Sequence, residues 1–169
     1  MVNVKSLLFF AFAASAIAAP LEPIENLNAT LVGTPAQLHA ANDVIYYCRK
    51  STDAAQTNNN GALIAQISKN KAMASAKWAG YGKTASGYPK RFYNNERLNF
   101  AKPCNMKGHD IYEFPIIIGQ KTNFPKDSKK GAANPGPVRV YYDQHFNFCG
   151  IGVKPNDDNS GHPHLCTTS

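Results

Sequence analysis

Four cysteines constrain this chain more than any other feature. Cys48, Cys104, Cys149 and Cys166 follow an N-terminal stretch, MVNVKSLLFFAFAASAIAA, that has the layout of a secretory signal. Lys5 gives it a short positive head, an apolar run extends from Leu7 to Ile17, and Ala16-Ile17-Ala18 supplies the small residues of a cleavage site. Residues 1–18 are therefore expected to be removed. An even number of cysteines in an exported chain implies two disulfides, with three pairings open. No Cys-x-x-Cys occurs, and His162 and His164 fall in a stretch read as a flexible loop, away from zinc-ligand spacing. Neither a metal nor a cofactor is expected. The signal's apolar run is too short for a bilayer, and no later stretch approaches about 20 apolar residues. The mature chain is expected to be secreted, extracellular and off the membrane.

The folded body is read as residues 44–169, a length that suits one domain with a modest core, working as a monomer. Residues 19–43 hold no lysine or arginine and show little periodicity, so they are read as a propeptide or mobile N-terminal extension. Asn28-Ala29-Thr30 within them is a glycosylation sequon. From Val44 onward there are 17 Lys/Arg against 8 Asp/Glu, a net of +9. Such an excess in a small domain favours a polyanionic partner: nucleic acid, an anionic membrane or an acidic glycan.

The body should begin with a strand in VIYYCRK, whose β-branched and aromatic residues fit a pleated surface. One helix is expected across residues 58–82. Asn60 is its N-cap, Leu63, Ile64 and Ile67 recur at helical spacing, alanines carry the apolar face to Trp78, and Gly80 and Gly82 end it. Beyond it, GYPKRFYNN, IYEFPIIIG, VRVYYDQ and FNFCGIGVK are short β-rich runs divided by Gly, Pro, Asn and Lys. A single helix with several antiparallel strands is an α+β pattern. The loop KTNFPKDSKKGAANPGP is long and carries Lys121, Lys126, Lys129 and Lys130, which makes it a candidate contact loop. NDDNSGHP near the end reads as a polar turn without chemistry of its own.

Three charged residues interrupt the strand-like runs: Lys90 in YPKRFY, Glu113 in YEFPI and Arg139 in PVRVYY. Each alone fits the water-facing side of a half-exposed sheet. Together they place a carboxylate among cations on one face, which can bind a phosphodiester and pair a general base with electrostatic stabilisers.

GYPKRFYNNE, YEFPI, NPGPVRVYYD and FCGI come in the order and approximate spacing of the fungal guanyl-specific ribonucleases. The resemblance runs from about Tyr46 to Cys166, and PGPVRV with FCGI is most similar to the sarcin-type ribotoxin branch. It implies a helix packed on a twisted antiparallel sheet, and disulfides Cys48–Cys166 and Cys104–Cys149. It also implies metal-free RNA cleavage 3′ of guanine through a 2′,3′-cyclic phosphate. On the positions that match, Glu113 falls on the general base, Arg139 on the phosphate-binding arginine and Tyr88 on the tyrosine that contacts the phosphate. Glu96, with Asn94 nearby, falls on the guanine-recognition segment. Both family histidines are replaced: Lys90 and Lys154 stand in their places.

A lysine ammonium, with an unperturbed pKa of about 10.4, stays charged and is a poor general acid. Losing general acid catalysis typically costs on the order of 10²- to 10⁴-fold. Three permanent cations should still hold phosphate, Tyr88, Phe92 and Tyr93 offer rings for stacking, and Lys126, Lys129 and Lys130 offer further charge. The expectation is an inactive ribonuclease homologue that binds RNA, ribosomal RNA included. The alternatives are an active guanyl-preferring endoribonuclease with Glu113 as base, and a protein-binding effector on a ribonuclease scaffold. Export, two disulfides and absent histidines together resemble the RNase-like virulence effectors that powdery mildew fungi deliver into host cells. Tyr46-Tyr47-Cys48 is also similar to the Tyr-x-Cys motif of those effectors.

Overall fold

The structure is a computed structural model that describes residues 43–168. The signal segment, nearly all of the extension and the Asn28 sequon lie outside the described residues. The described chain runs β1 (Ile45–Arg49), β2 (Leu63–Ser68), α1 (Lys69–Ala79), β3 (Lys90–Phe92), β4 (Ile111–Pro115), β5 (Val138–Asp143), β6 (Phe148–Val153) and β7 (His164–Leu165). β1 and β2 form an antiparallel pair, and β3-β4-β5-β6-β7 form a five-stranded antiparallel sheet in that order. The expected α+β architecture, one helix on antiparallel sheet, is what the chain adopts.

The helix is shorter than the sequence pattern promised. Leu63, Ile64 and Ile67 belong to β2, where Cys48 faces Ala65 and Tyr46 faces Ile67 across the pair. Ala65 and Ile67 are buried and Gln66 between them is exposed, the alternation of a strand. A short apolar run fits both periods, and pairing with β1 decides for the strand. The N-cap is therefore Ser68, not Asn60. Its hydroxyl accepts from Lys71 N at 3.0 Å and donates to the Asp43 carboxylate, which also accepts from Asn70 N at 3.1 Å. Gly80, at φ +75°, ends the helix as expected and donates its N–H to Ala76 O.

Small residues let α1 sit close to the sheet. Ala72, Ala76 and Ala79 are buried against a core that includes Phe114, Val138, Val140, Tyr142, Ile151 and Val153. Those residues alternate with Glu113, Arg139 and Tyr141, which turn to the opposite face. The helix thus covers one face of the sheet and leaves the charged face to a cleft.

Two disulfides tie the periphery to this sheet. Cys48–Cys166 joins β1 to the chain after β7 across a separation of 118 residues, and Cys104–Cys149 pins the loop before β4 to β6 across 45. This is the pairing that the resemblance implied. His164 does not lie on a flexible loop. It is buried in β7 and donates from Nε2 to Arg49 O at 2.9 Å, since a carbonyl can only accept.

The longer-range disulfide removes the most freedom from the unfolded chain. The double variant Cys48→Ser/Cys166→Ser should lose about 2–5 kcal/mol of stability in denaturant titrations. An unchanged midpoint would show that β1 is held to the body without the bridge.

Candidate functional site

The sheet register assembles the cleft one strand at a time. Lys90 on β3 faces Glu113 on β4, Glu113 faces Tyr141 on β5, and Tyr141 faces Gly150 on β6. One row further along, Arg139 faces Gly152. The glycine matters here: a Cβ on Gly152 would meet Tyr141 Cε2 at 2.7 Å and His164 O at 3.0 Å. Its absence lets the Tyr141 ring lie over β6, packed against Phe92 at 4.7 Å and Phe100 at 5.4 Å.

Glu113 and Arg139 are both buried, not turned to water as a half-exposed sheet face would have them. Burial raises the Glu113 carboxyl above the usual range, and the charges of Arg139, Lys90 and Lys154 pull it partly back. Its nearest cation is Lys90 Nζ, 4.0 Å from Oε1, on a side chain that is 65 % exposed. Arg139 has no solvent exposure at all. Its Nη1 donates to Pro135 O at 3.0 Å, Gly136 O at 2.9 Å and Val138 O at 2.7 Å. Its Nη2 donates to Asn159 Oδ1 and, at 3.5 Å, to Tyr88 Oη. Nε has no partner, and neither does the buried hydroxyl of Tyr141, whose pKa burial drives well above its ordinary value.

Lys154 follows β6 and continues its ladder, donating N–H to Pro137 O at 3.0 Å. Its Nζ donates to Asn159 O at 3.0 Å, and burial lowers its pKa, with Glu113 acting in the opposite direction. Tyr88 is held edge-on to Phe124 at 5.6 Å, with the Arg139 guanidinium 5.4 Å from its ring centre. Glu113, Arg139, Lys90, Lys154 and Tyr88 therefore converge on one cleft.

The remaining sequence candidates divide. Tyr93, Asn94 and Glu96 line a pocket of about 110 Å³ together with Lys90, Glu113 and Lys154. Arg91 lies over one face of the Tyr93 ring at 5.4 Å, but Tyr93 is 71 % exposed and has ring surface left for a base. Phe92 also lines this pocket, but its ring is committed to Phe100 and Tyr141. The Asn94 side chain closes its own loop, donating to Leu98 O at 2.9 Å and accepting from Leu98 N at 2.6 Å. Lys126 lies on the helix side, against Asp127 at 2.8 Å and over the Trp78 ring at 5.1 Å. Neither it nor Lys129 or Lys130 lines the cleft pocket.

Sequence reasoning missed two members. Tyr141 stands two residues after Arg139, and strand alternation alone places it on the same face. Asn159 gave no signal, because a run of Asn, Asp and Ser in a turn carries no period.

Residues 49–162 match the family model described as ribonuclease. Among solved structures, the Aspergillus ribotoxin restrictocin is 26% identical, with a TM-score of 0.56. The cytotoxic ribonuclease alpha-sarcin is 27% identical, with a TM-score of 0.51. Restrictocin complexed with a 29-mer sarcin/ricin domain RNA analogue is 24% identical at a TM-score of 0.52, a likeness of fold alone. Each covers 73% of this chain and 99% of its own. No curated protein matches the chain.

The raised Glu113 pKa carries a pH signature. Between its ordinary value of 4.5 and its folded value, the folded state binds more protons than the unfolded state. Stability conferred by this group is therefore lost as pH rises through that window. Glu113→Gln should gain in melting temperature over the parent as pH rises above 4.5, then hold the gain once Glu113 is ionised in the fold. A difference that does not change with pH would show that Glu113 ionises as freely in the fold as outside it.

Proposed function

The chain belongs to the ribonuclease family, and from that premise we propose that it is an exported RNA-binding protein whose cleft holds a phosphodiester without cutting it. One observation carries this reading. Arg139 is a permanent cation with no exposure, and every partner it has is neutral. Glu113 supplies counter-charge only from beyond ion-pair distance; a buried charge so weakly compensated is costly, and a bound anion lowers that cost. Lys154 and Lys90 add two cations, Tyr88 adds a phenol, and Tyr93 offers an open ring beside the pocket, which together suit a sugar–phosphate strand with its base. The restrictocin complex with a sarcin/ricin RNA analogue makes structured, ribosomal-type RNA the first ligand to try.

Catalysis by this family's route needs a proton taken from the ribose 2′-hydroxyl and another given to the leaving 5′-oxygen. Glu113 would take the first by the resemblance, and its raised pKa suits a base. By the same resemblance Lys154 would have to supply the second, but as an ammonium held by Asn159 O it binds charge better than it transfers protons. Export and the loss of both histidines support an effector role inside a host, with RNA as the target and host proteins as the alternative.

Two lysine contacts to phosphate predict a salt effect. Lys90→Ala/Lys154→Ala should weaken binding of a structured RNA hairpin and flatten the plot of log K against log salt by about 1–2 units. Affinity and slope equal to those of the parent would sink the phosphodiester reading.

A second reading, a slow active endoribonuclease, is favoured by the lowered pKa of Lys154 beside the raised pKa of Glu113. Lys154→Arg separates the two, because arginine keeps the charge and cannot give up its proton. Under the binding reading the variant holds RNA as the parent does, and neither cleaves. Cleavage by the parent that vanishes in Lys154→Arg would establish the enzyme.

A further inference from the structure

Asn159 occupies two of the donors that a phosphate would use, on Arg139 and Lys154, and holds Tyr88 from its acceptor side. Its side-chain oxygen accepts from Arg139 Nη2, its amide nitrogen donates to Tyr88 Oη at 3.2 Å, and its backbone carbonyl accepts from Lys154 Nζ at 3.0 Å. Guanidinium, phenol and ammonium are all engaged at once by one uncharged residue.

The surrounding loop is built to hold that residue and little else. Asn159 N donates to Asn156 O at 3.2 Å, and Asn156 Nδ2 donates to Ser160 Oγ at 2.9 Å. Asp158 Oδ1 accepts from Ser160 N at 2.9 Å and from Ser160 Oγ at 2.6 Å. The tip is thus closed on itself. Of the bonds made by residues 156–160, those that leave the loop all pass through Asn159. Asn159 itself sits at φ +71°, in the left-handed region that non-glycine residues seldom occupy. The tip also carries Asp157 and Asp158, both exposed. In a body of 17 basic and 8 acidic residues, two of the carboxylates stand on the loop that closes the most cationic site.

We propose that residues 155–163 form a self-occluding loop, with Asn159 as a tethered stand-in for a phosphate oxygen, and that RNA binds the cleft by displacing Asn159 from Arg139, Tyr88 and Lys154. The proposal rests on the reading of the cleft as a phosphodiester site and adds how that site is kept closed. An amide oxygen is a weaker partner for a guanidinium than a phosphate oxygen, so the exchange runs toward RNA. Until it happens, Arg139 keeps an acceptor on Nη2 in place of an empty, buried donor. The carboxylates of Asp157 and Asp158 are repelled by an arriving strand, which helps the loop to leave. Closure therefore lowers the affinity of the cleft for any phosphate that must displace Asn159.

Two variants at one position move binding in opposite directions. Asn159→Gly removes the carboxamide, suits the positive φ and leaves the carbonyl that Lys154 uses. It should bind both inorganic phosphate and a structured RNA hairpin about tenfold more tightly than the parent at fixed salt. Asn159→Asp puts a carboxylate on Arg139 and should bind both about tenfold more weakly. A merely structural Asn159 would weaken binding in both variants. If the parent binds RNA through Lys90 and Lys154 while Asn159→Gly binds no better, the loop proposal falls and the phosphodiester reading stands. If neither parent nor Asn159→Gly binds phosphate or RNA, both fall. The parent protein gives an independent reading through its ¹⁵N-labelled Asn159 side-chain amide. That resonance should shift during a phosphate titration with the midpoint of binding, while the Asn59 amide, bonded to Tyr47 O, stays still. Binding without a shift at Asn159 overturns the proposal whatever the variants do.

Discussion

A permanent cation sealed inside a sheet sets the terms for the rest of this structure. Arg139 can be buried only because Pro135, Gly136 and Val138 turn three carbonyls toward Nη1, which dictates how the chain curls into β5. Its neighbours Val138 and Val140 point the other way, into the core under α1. The same alternation that seats the helix therefore delivers the guanidinium to the cleft. Glu113, on the adjacent strand, compensates at a distance, and burial lifts its pKa in return. The cleft is a place where the fold accepts electrostatic cost, as expected of a functional site and not of a packing core.

Much of this could be read from the residues. The β-rich runs around Ile45, Lys90, Ile111, Val138 and Phe148 became strands because β-branched and aromatic side chains fit the pleat whichever neighbour they find. The start of α1 was illegible. Leu63, Ile64 and Ile67 satisfy both periods, and only pairing with β1, a contact across the chain, chooses between them. The Lys126 to Lys130 loop drew attention through its charge, yet Trp78 and Asp127 hold Lys126 on the helix side. Phe92 was expected to offer a stacking ring. β3 places it on the same side as Lys90, where Tyr141 and Phe100 take it up. Asn159 lay furthest from sequence reasoning, because its importance comes from residues 88, 139 and 154 meeting at one point.

The chemistry of the cleft follows from which cations are fixed and which can titrate. An imidazole at the two lysine positions would exchange protons near neutral pH, whereas a lysine mainly adds charge. On the proposed reading, replacing both leaves the charges of a phosphate site and shifts its work from turning over RNA to retaining it. Retention would suit a site with buried donors, since water would compete poorly for Arg139 against a bound phosphate.

The claim that the cleft holds RNA without cutting it is tested most directly by one end-analysis of bound RNA. A structured ribosomal hairpin would be incubated with saturating protein, recovered from the complex and examined for 2′,3′-cyclic phosphate ends. The account predicts RNA that is fully bound and recovered intact, with no such ends above those in the protein-free control. Cyclic phosphate ends that accumulate with time, and are absent when Glu113→Gln protein is used, would contradict it.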